Sequence, residues 1–154
     1  MAIEHVDIPD GERHEPKGAS TATIDQVYVS DGAASGAWRT LPFQDTVIMA
    51  DVSAAGFEII PIPINCIIDS ITFVLYGAIT VADSTMTVTR GGDAASLGTK
   101  VIAYTASAEG TTFTMTPSGN NTLTAGTHKY LKFASDGNST TTAKMSITIK
   151  GRTR

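Results

Sequence analysis

Cys66-Ile67-Ile68-Asp69-Ser70-Ile71-Thr72-Phe73-Val74-Leu75, the front of a run that extends over residues 66–79, is the stretch that decides the fold. β-branched and aromatic residues dominate it, and no spacing of three and four gathers them on one helical stripe. Alternation is partial: Ile68, Ser70, Thr72 and Val74 share one face, and the more apolar Ile67, Ile71, Phe73 and Leu75 share the other. Apolar residues on both faces predict a central strand covered on both sides.

Similar signals recur on either side. Val47-Ile48-Met49 and Phe57-Glu58-Ile59-Ile60 are strand-like, and Pro61-Ile62-Pro63 places the end of the second at an edge or corner, because proline has no N–H to give a ladder. Thr85-Met86-Thr87-Val88-Thr89 alternates and stops at Gly91-Gly92-Asp93. Residues 99–104 and 111–115 follow, then a turn at Asn120-Asn121, a short strand at Leu123, a strand over 129–133, a turn at Asp136-Gly137-Asn138 and a closing strand over 141–149. No window carries a helical stripe, and no repeat of fixed period is present. The pattern predicts an all-β fold, an antiparallel β-sandwich of jelly-roll-like form over residues 46–154. Its expected core takes in Ile67, Ile71, Phe73, Leu75, Val88, Val101, Tyr104, Phe113, Leu131, Phe133, Ile147 and Ile149.

Composition agrees. The chain has 154 residues, of which 42% are hydrophobic and 17% charged; Thr, Ser, Ala and Gly fill the gap. Too few Leu, Glu, Lys and Arg are present for exposed helix faces. A net charge of −4 provides no overall basic field for nucleic acid. The basic residues at the C-terminal end, Lys144, Lys150, Arg152 and Arg154, read as a solubilising tail. The single cysteine, Cys66, excludes an internal disulfide and, set among apolar neighbours, reads as a buried inert thiol. No basic start with an apolar run marks a leader, and the apolar run near 57–68 is broken by Pro61, Pro63 and Asn65, so no membrane span is expected. Synthesis and folding in the cytoplasm are the expectation.

Residues 1–45 read as a separate N-terminal unit of arm and hairpin, and the arm, residues 1–25, differs in composition from the rest. Seven of the first seventeen residues are charged, and Pro9, Gly11, Pro16 and Gly18 interrupt any periodicity. This composition predicts an extended arm that orders on a partner. Gln26-Val27-Tyr28-Val29-Ser30 and Ala37-Trp38-Arg39-Thr40-Leu41, joined by a Gly-, Ser- and Asp-rich loop, predict a small β-hairpin. Such a hairpin is marginal alone in water, so it needs a surface, with Trp38 as the anchor.

Catalytic and metal chemistry find no foothold. His14-Glu15 opens like a zinc-protease helix, but Pro16 follows and Gly18 stands where the second histidine belongs. His5, His14 and His128 have no ligand spacing, and no metal or cofactor is expected. Gly32-Ala33-Ala34-Ser35-Gly36 lacks the spacing of a nucleophile elbow. Residues 91–98 place an aspartate where a phosphate would sit. Asp31, Asp93 and Asp136 each adjoin a glycine, as turns require, and Asp136-Gly137-Asn138 lacks the closing glutamate of a calcium loop. Asn120-Asn121-Thr122 and Asn138-Ser139-Thr140 fit a glycosylation pattern that has no meaning without secretion.

The stretch Ile8-Pro9-Asp10-Gly11-Glu12-Arg13-His14-Glu15-Pro16-Lys17-Gly18-Ala19, with Gln26-Val27-Tyr28-Val29-Ser30-Asp31-Gly32 and Ser35-Gly36-Ala37-Trp38 after it, resembles the N-terminal region of head-decoration (cement) and head-fibre proteins of tailed bacteriophages. The resemblance covers about a quarter of the chain. It implies a non-enzymatic virion protein on the outer surface of the capsid, trimeric, made in the host bacterial cytoplasm and attached to the major capsid protein through its N-terminal part. The expected capsid-binding residues are Arg13, His14, Pro16, Lys17 and Trp38. Apolar residues in 57–64 and around Trp38, in excess of what one sandwich covers, predict a homotrimer interface. The alternative is a head or tail fibre module that binds host surface glycans; the loops 91–98, 106–111 and 135–140 carry no aromatic platform, which favours the structural role.

Overall fold

The computed structural model describes residue 22, residues 26–30 and residues 36–154. Every element in these residues is a strand: β1 (Gln26–Ser30), β2 (Gly36–Thr40), β3 (Pro42–Met49), β4 (Gly56–Pro61), β5 (Cys66–Leu75), β6 (Ser84–Arg90), β7 (Ser96–Ile102), β8 (Thr112–Met115), β9 (Thr122–Leu123), β10 (Tyr130–Ser135) and β11 (Met145–Thr153). All pairs are antiparallel. One sheet runs β3-β11-β5-β8, with the short β9 also on β5, and the other runs β4-β10-β6-β7.

Setting aside β9 and the β1–β2 hairpin, the sandwich strands in chain order give first-eighth-third-sixth in one sheet and second-seventh-fourth-fifth in the other. That interleaving is the two-Greek-key wiring of a jelly roll. The expected antiparallel β-sandwich is therefore present. The two inner faces meet in one core, in which Phe73, Phe133, Ile71, Leu75, Met86, Leu131, Ile147 and Ile149 are fully buried. β11 follows the local rule closely. Met145, Ile147 and Ile149 point inward, opposite Met49 and Val47 of β3 and Leu75, Phe73 and Ile71 of β5.

β5 explains its own irregular alternation. Lys150 pairs with Ser70 but Gly151 pairs with Ile68, so Asp69 is an extra residue with no partner across the ladder. This β-bulge shifts the side-chain phase by one. Before it Cys66 and Ile68 point inward; after it Ile71, Phe73 and Leu75 do. The strand is therefore not apolar on both faces: it has one buried face that changes parity at Asp69. Ile67, expected in the core, is half-buried on the outer side as a result. Gly151 sits where this packing leaves no space for a side chain. A Cβ there would lie 2.3 Å from the Ile67 carbonyl oxygen and 2.8 Å from the Phe43 ring. Asp69 and Arg152 form an ion pair across the bulge.

Two other expected core residues are outside. Val101 is 50% exposed and Tyr104 44% exposed. On β7, Ile102 pairs with buried Ser84 and so takes the inward position, which turns Val101 outward opposite Thr85. Tyr104 lies beyond the end of β7, where its N–H donates to the Asp83 carboxylate at 2.9 Å. A bulge on the same strand turns Leu97 into the core, a contributor that sequence phase did not mark. Phe113 lies opposite Phe73 and packs against the core, half-buried because β8 is at the sheet margin.

Candidate functional site

Of the residues expected to bind a capsid, Arg13, His14, Pro16 and Lys17 lie outside the described residues. Trp38 is described. It sits in β2 directly opposite Tyr28 of β1, and their rings meet edge to face with centroids 5.5 Å apart at 67°. This aromatic pair holds the hairpin by cross-strand contact. Gln26 and Thr40 share its face, while Val27, Val29, Ala37 and Arg39 form the other. β1 and β2 make a two-stranded sheet of their own, joined to neither sheet of the sandwich. The Trp38 indole N–H is buried and has no hydrogen-bond partner among the described residues, an uncommon state for a donor. The chain passes from the hairpin into β3 through Leu41, whose N–H donates to Thr153 Oγ1 at 2.8 Å and whose carbonyl accepts from the Thr153 N–H at 2.8 Å. The hairpin is thus tethered to the end of β11 by a short, hydrogen-bonded link.

The 57–64 stretch divides as strand alternation requires. Ile60 and Ile62 are buried; Phe57, Ile59 and Ile64 are exposed, at 60%, 44% and 36%. β4 pairs only with β10, so it is an edge strand. Its outward residues Phe57, Ile59 and Pro61 lie beside Ala134, Lys132 and Tyr130 of β10. The Lys132 ammonium stands 4.4 Å from the centre of the Phe57 ring, a cation–π contact. The outer face of the other sheet is polar but uncharged at its centre, where Thr46, Thr148, Thr72 and Thr114 form one row across four strands. The first two of these bond to each other through their hydroxyls at 2.9 Å.

A third feature joins the Gly91-Gly92-Asp93 turn to β10. Arg90 donates to Asp93 from Nε at 3.0 Å and from Nη2 at 2.6 Å, and reaches the Thr122 carbonyl at 3.1 Å. The Arg90 guanidinium and the Ala95 N–H hold the Asp93 carboxyl down to about 2. His128 Nε2 stands 4.0 Å from the same carboxylate. The Gly91 backbone lies against the Tyr130 ring so closely that a Cβ there would be 2.8 Å from it. The turn has no aromatic of its own, yet Tyr130 supplies one from the neighbouring strand. The sequence carried no signal of this meeting, because the two segments are joined only by the β6–β10 pairing.

The remaining candidates behave as local chemistry dictates. Cys66 is buried, and burial pushes its thiol up to about 11, far from a reactive thiolate. Asp136 caps a turn, accepting from the N–H groups of Thr85 at 2.9 Å and Asn138 at 3.3 Å. Burial raises the pKa of that carboxyl, but these donors outweigh it and hold the group below its ordinary value. Among the described residues no three His, Cys, Asp or Glu side chains converge on a point where a metal ion would be held.

Fold and surface together define a jelly-roll β-sandwich that carries an appended aromatic hairpin and an apolar edge strand. No family model matches the chain, and no curated protein matches it. Among solved structures it is similar to a chain of the cyanophage Pam1 capsid asymmetric unit, with a TM-score of 0.47 and 11% identity over 75% of this chain and 85% of that one. It is also similar to a chain of Bacillus endospore appendages, described as a novel family of disulfide-linked pili, with a TM-score of 0.36 and 15% identity over 75% of this chain and 92% of that one. Likenesses at this level carry no conclusion about function.

Proposed function

We propose that the chain is a non-enzymatic structural protein of a tailed-phage particle, which decorates the outer surface of the capsid and bridges neighbouring major capsid protein subunits. The observation that carries this reading is the Tyr28–Trp38 hairpin. It belongs to neither sheet of the sandwich, and six residues separate it from the stretch 8–19 that resembles the attachment region of head-decoration proteins. A two-stranded sheet gains little stability by itself, so it gains from a surface to lie on. Residues 1–41 act as the attachment unit and the sandwich, which takes in β3 from Pro42, as the projecting body. Arg13 and Lys17 pair with capsid carboxylates, contacts worth about 0–1 kcal/mol each when exposed. Three arms engaged together multiply such weak contacts.

The body assembles as a homotrimer. Phe57, Ile59 and Ile64 supply the apolar part of the contact along the edge strand β4, and covering that edge also removes an unpaired ladder.

The test is to delete residues 1–40, arm and hairpin together, and mix the truncated protein with particles assembled without it. The sandwich folds, since its core begins after this segment, and binding is lost. Decoration equal to that of the full chain would place the attachment surface in the sandwich and overturn the proposal. Sedimentation at micromolar concentration reads the oligomeric state, and Phe57→Lys shifts it toward monomer.

A further inference from the structure

We propose that the cavity between the turn after β6 and strand β10 is a saccharide site that takes one hexopyranose unit of a glycan. It uses no residue before β3, so it is independent of capsid attachment. The cavity measures about 440 Å³, inside the range of roughly 300–1,000 Å³ typical of small-molecule sites. Its walls include Thr89, Arg90, Gly91, Asp93, Tyr130 and Lys132.

Three requirements of a pyranose meet there. The C–H face of a sugar ring needs an aromatic surface, and Tyr130 is 36% exposed on the outer side of β10. Neighbouring hydroxyls need a strong acceptor; the Asp93 side chain is 42% exposed and stays ionised under its Arg90 partner. Arg90 and the Ala95 N–H hold both Asp93 oxygens, with Nε shared between them, and the carboxylate still lines the cavity. Ring and glycosidic oxygens need a donor, and Lys132, whose ammonium stands over the Phe57 ring, also lines the cavity. Gly91, with no side chain, lets the Tyr130 ring lie against its backbone and fixes the ring at the cavity wall.

Bracing of the turn accounts for the Arg90–Asp93 pair and the capped Ala95 N–H, but not for an exposed tyrosine ring with a lysine beside it. A phosphate or nucleotide fits worse. The Asp93 carboxylate would face the anion and already neutralises the arginine.

The experiment titrates the isotope-labelled full chain with methyl glycosides of glucose, galactose, mannose and N-acetylglucosamine, with inorganic phosphate alongside. At least one glycoside should move the amide signals of residues 89–94 and 130–132 saturably, and phosphate should not. Thr89→Phe fills the cavity from the outer face of β6 and leaves the Arg90–Asp93 pair intact; it should weaken binding at least about tenfold. Tyr130→Ala should do the same in protein that keeps the wild-type β-sheet spectrum. Absence of saturable shifts with every glycoside, equal shifts with phosphate, or binding unchanged in Thr89→Phe would each overturn the site.

Discussion

The buried hydroxyl of Ser135 donates to the carbonyl oxygen of Val52 at 2.6 Å. Ser84, on the adjacent strand, donates to the same oxygen at 3.2 Å. Two strands of one sheet thereby hold the connection between β3 and β4. Val52 itself is fully buried, so its carbonyl has no recourse to water. Ser135→Ala should lower stability by about 1 kcal/mol, since Ser84 still serves the carbonyl. Ser84→Ala combined with it should cost more than the sum of the single changes, by about 1–3 kcal/mol for the orphaned acceptor. Urea unfolding of the three variants measures this coupling; simple additivity would show that the two hydroxyls act independently.

Phe133 and Val101 make a second test, because sequence alone places both in the core. Phe133 is fully buried and Val101 half-exposed. Phe133→Ala should cost about 3–5 kcal/mol, and Val101→Ala should stay within about 0.5 kcal/mol of wild type. A large loss at Val101 would mean that its outward face is covered, as an assembly would cover it.

The bulge at Asp69 depends on the absent side chain of Gly151. Gly151→Ala should destabilise by about 1–3 kcal/mol, because the new methyl meets the Ile67 carbonyl and the Phe43 ring. Gly77→Ala is the control, as nothing lies within 4 Å of its Cβ position. Equal thermal midpoints for the two variants would show that the bulge relaxes freely.

Asp93 sets an acid limit. Its folded pKa of about 2 lies below the ordinary carboxylate value, so the folded state favours the ionised form. The resulting stability is fully present above about pH 4 and is lost as the pH falls toward 2. Asp93→Asn removes it. The difference in midpoint between wild type and variant should be constant near neutrality and shrink between about pH 4 and 2, and added salt should reduce it. A difference that persists unchanged down to pH 2 would assign the effect to the amide's packing instead.

Trp38 is the only tryptophan of the chain, so its emission reports the hairpin and not the jelly roll. The hairpin should melt at lower denaturant than the sandwich, and emission and far-ultraviolet dichroism should give separate midpoints. Trp38→Ala should leave the dichroism midpoint within about 0.5 kcal/mol of wild type. Coincident midpoints would show that the hairpin folds as part of the sandwich.

The strands, the turns at Gly91-Gly92-Asp93 and Asp136-Gly137-Asn138, and the hairpin of Tyr28 and Trp38 were legible in the sequence. Each follows from a local rule: side chains alternate along a strand, and tight turns select glycine, asparagine and aspartate. The candidate site was legible only in part. Trp38 announced itself as an aromatic in a marginal hairpin, whereas the meeting of Tyr130 with the turn at Gly91 left no mark. The order of strands in the two sheets, the change of phase at Asp69 and the outward turn of Val101 came from the tertiary structure alone. Alternation says that neighbouring side chains face opposite ways, but not which way is inward. That choice is made by partners distant in the chain, such as Gly151 opposite Ile68 and Ser84 opposite Ile102, whose packing against the facing sheet is felt only once both are in place.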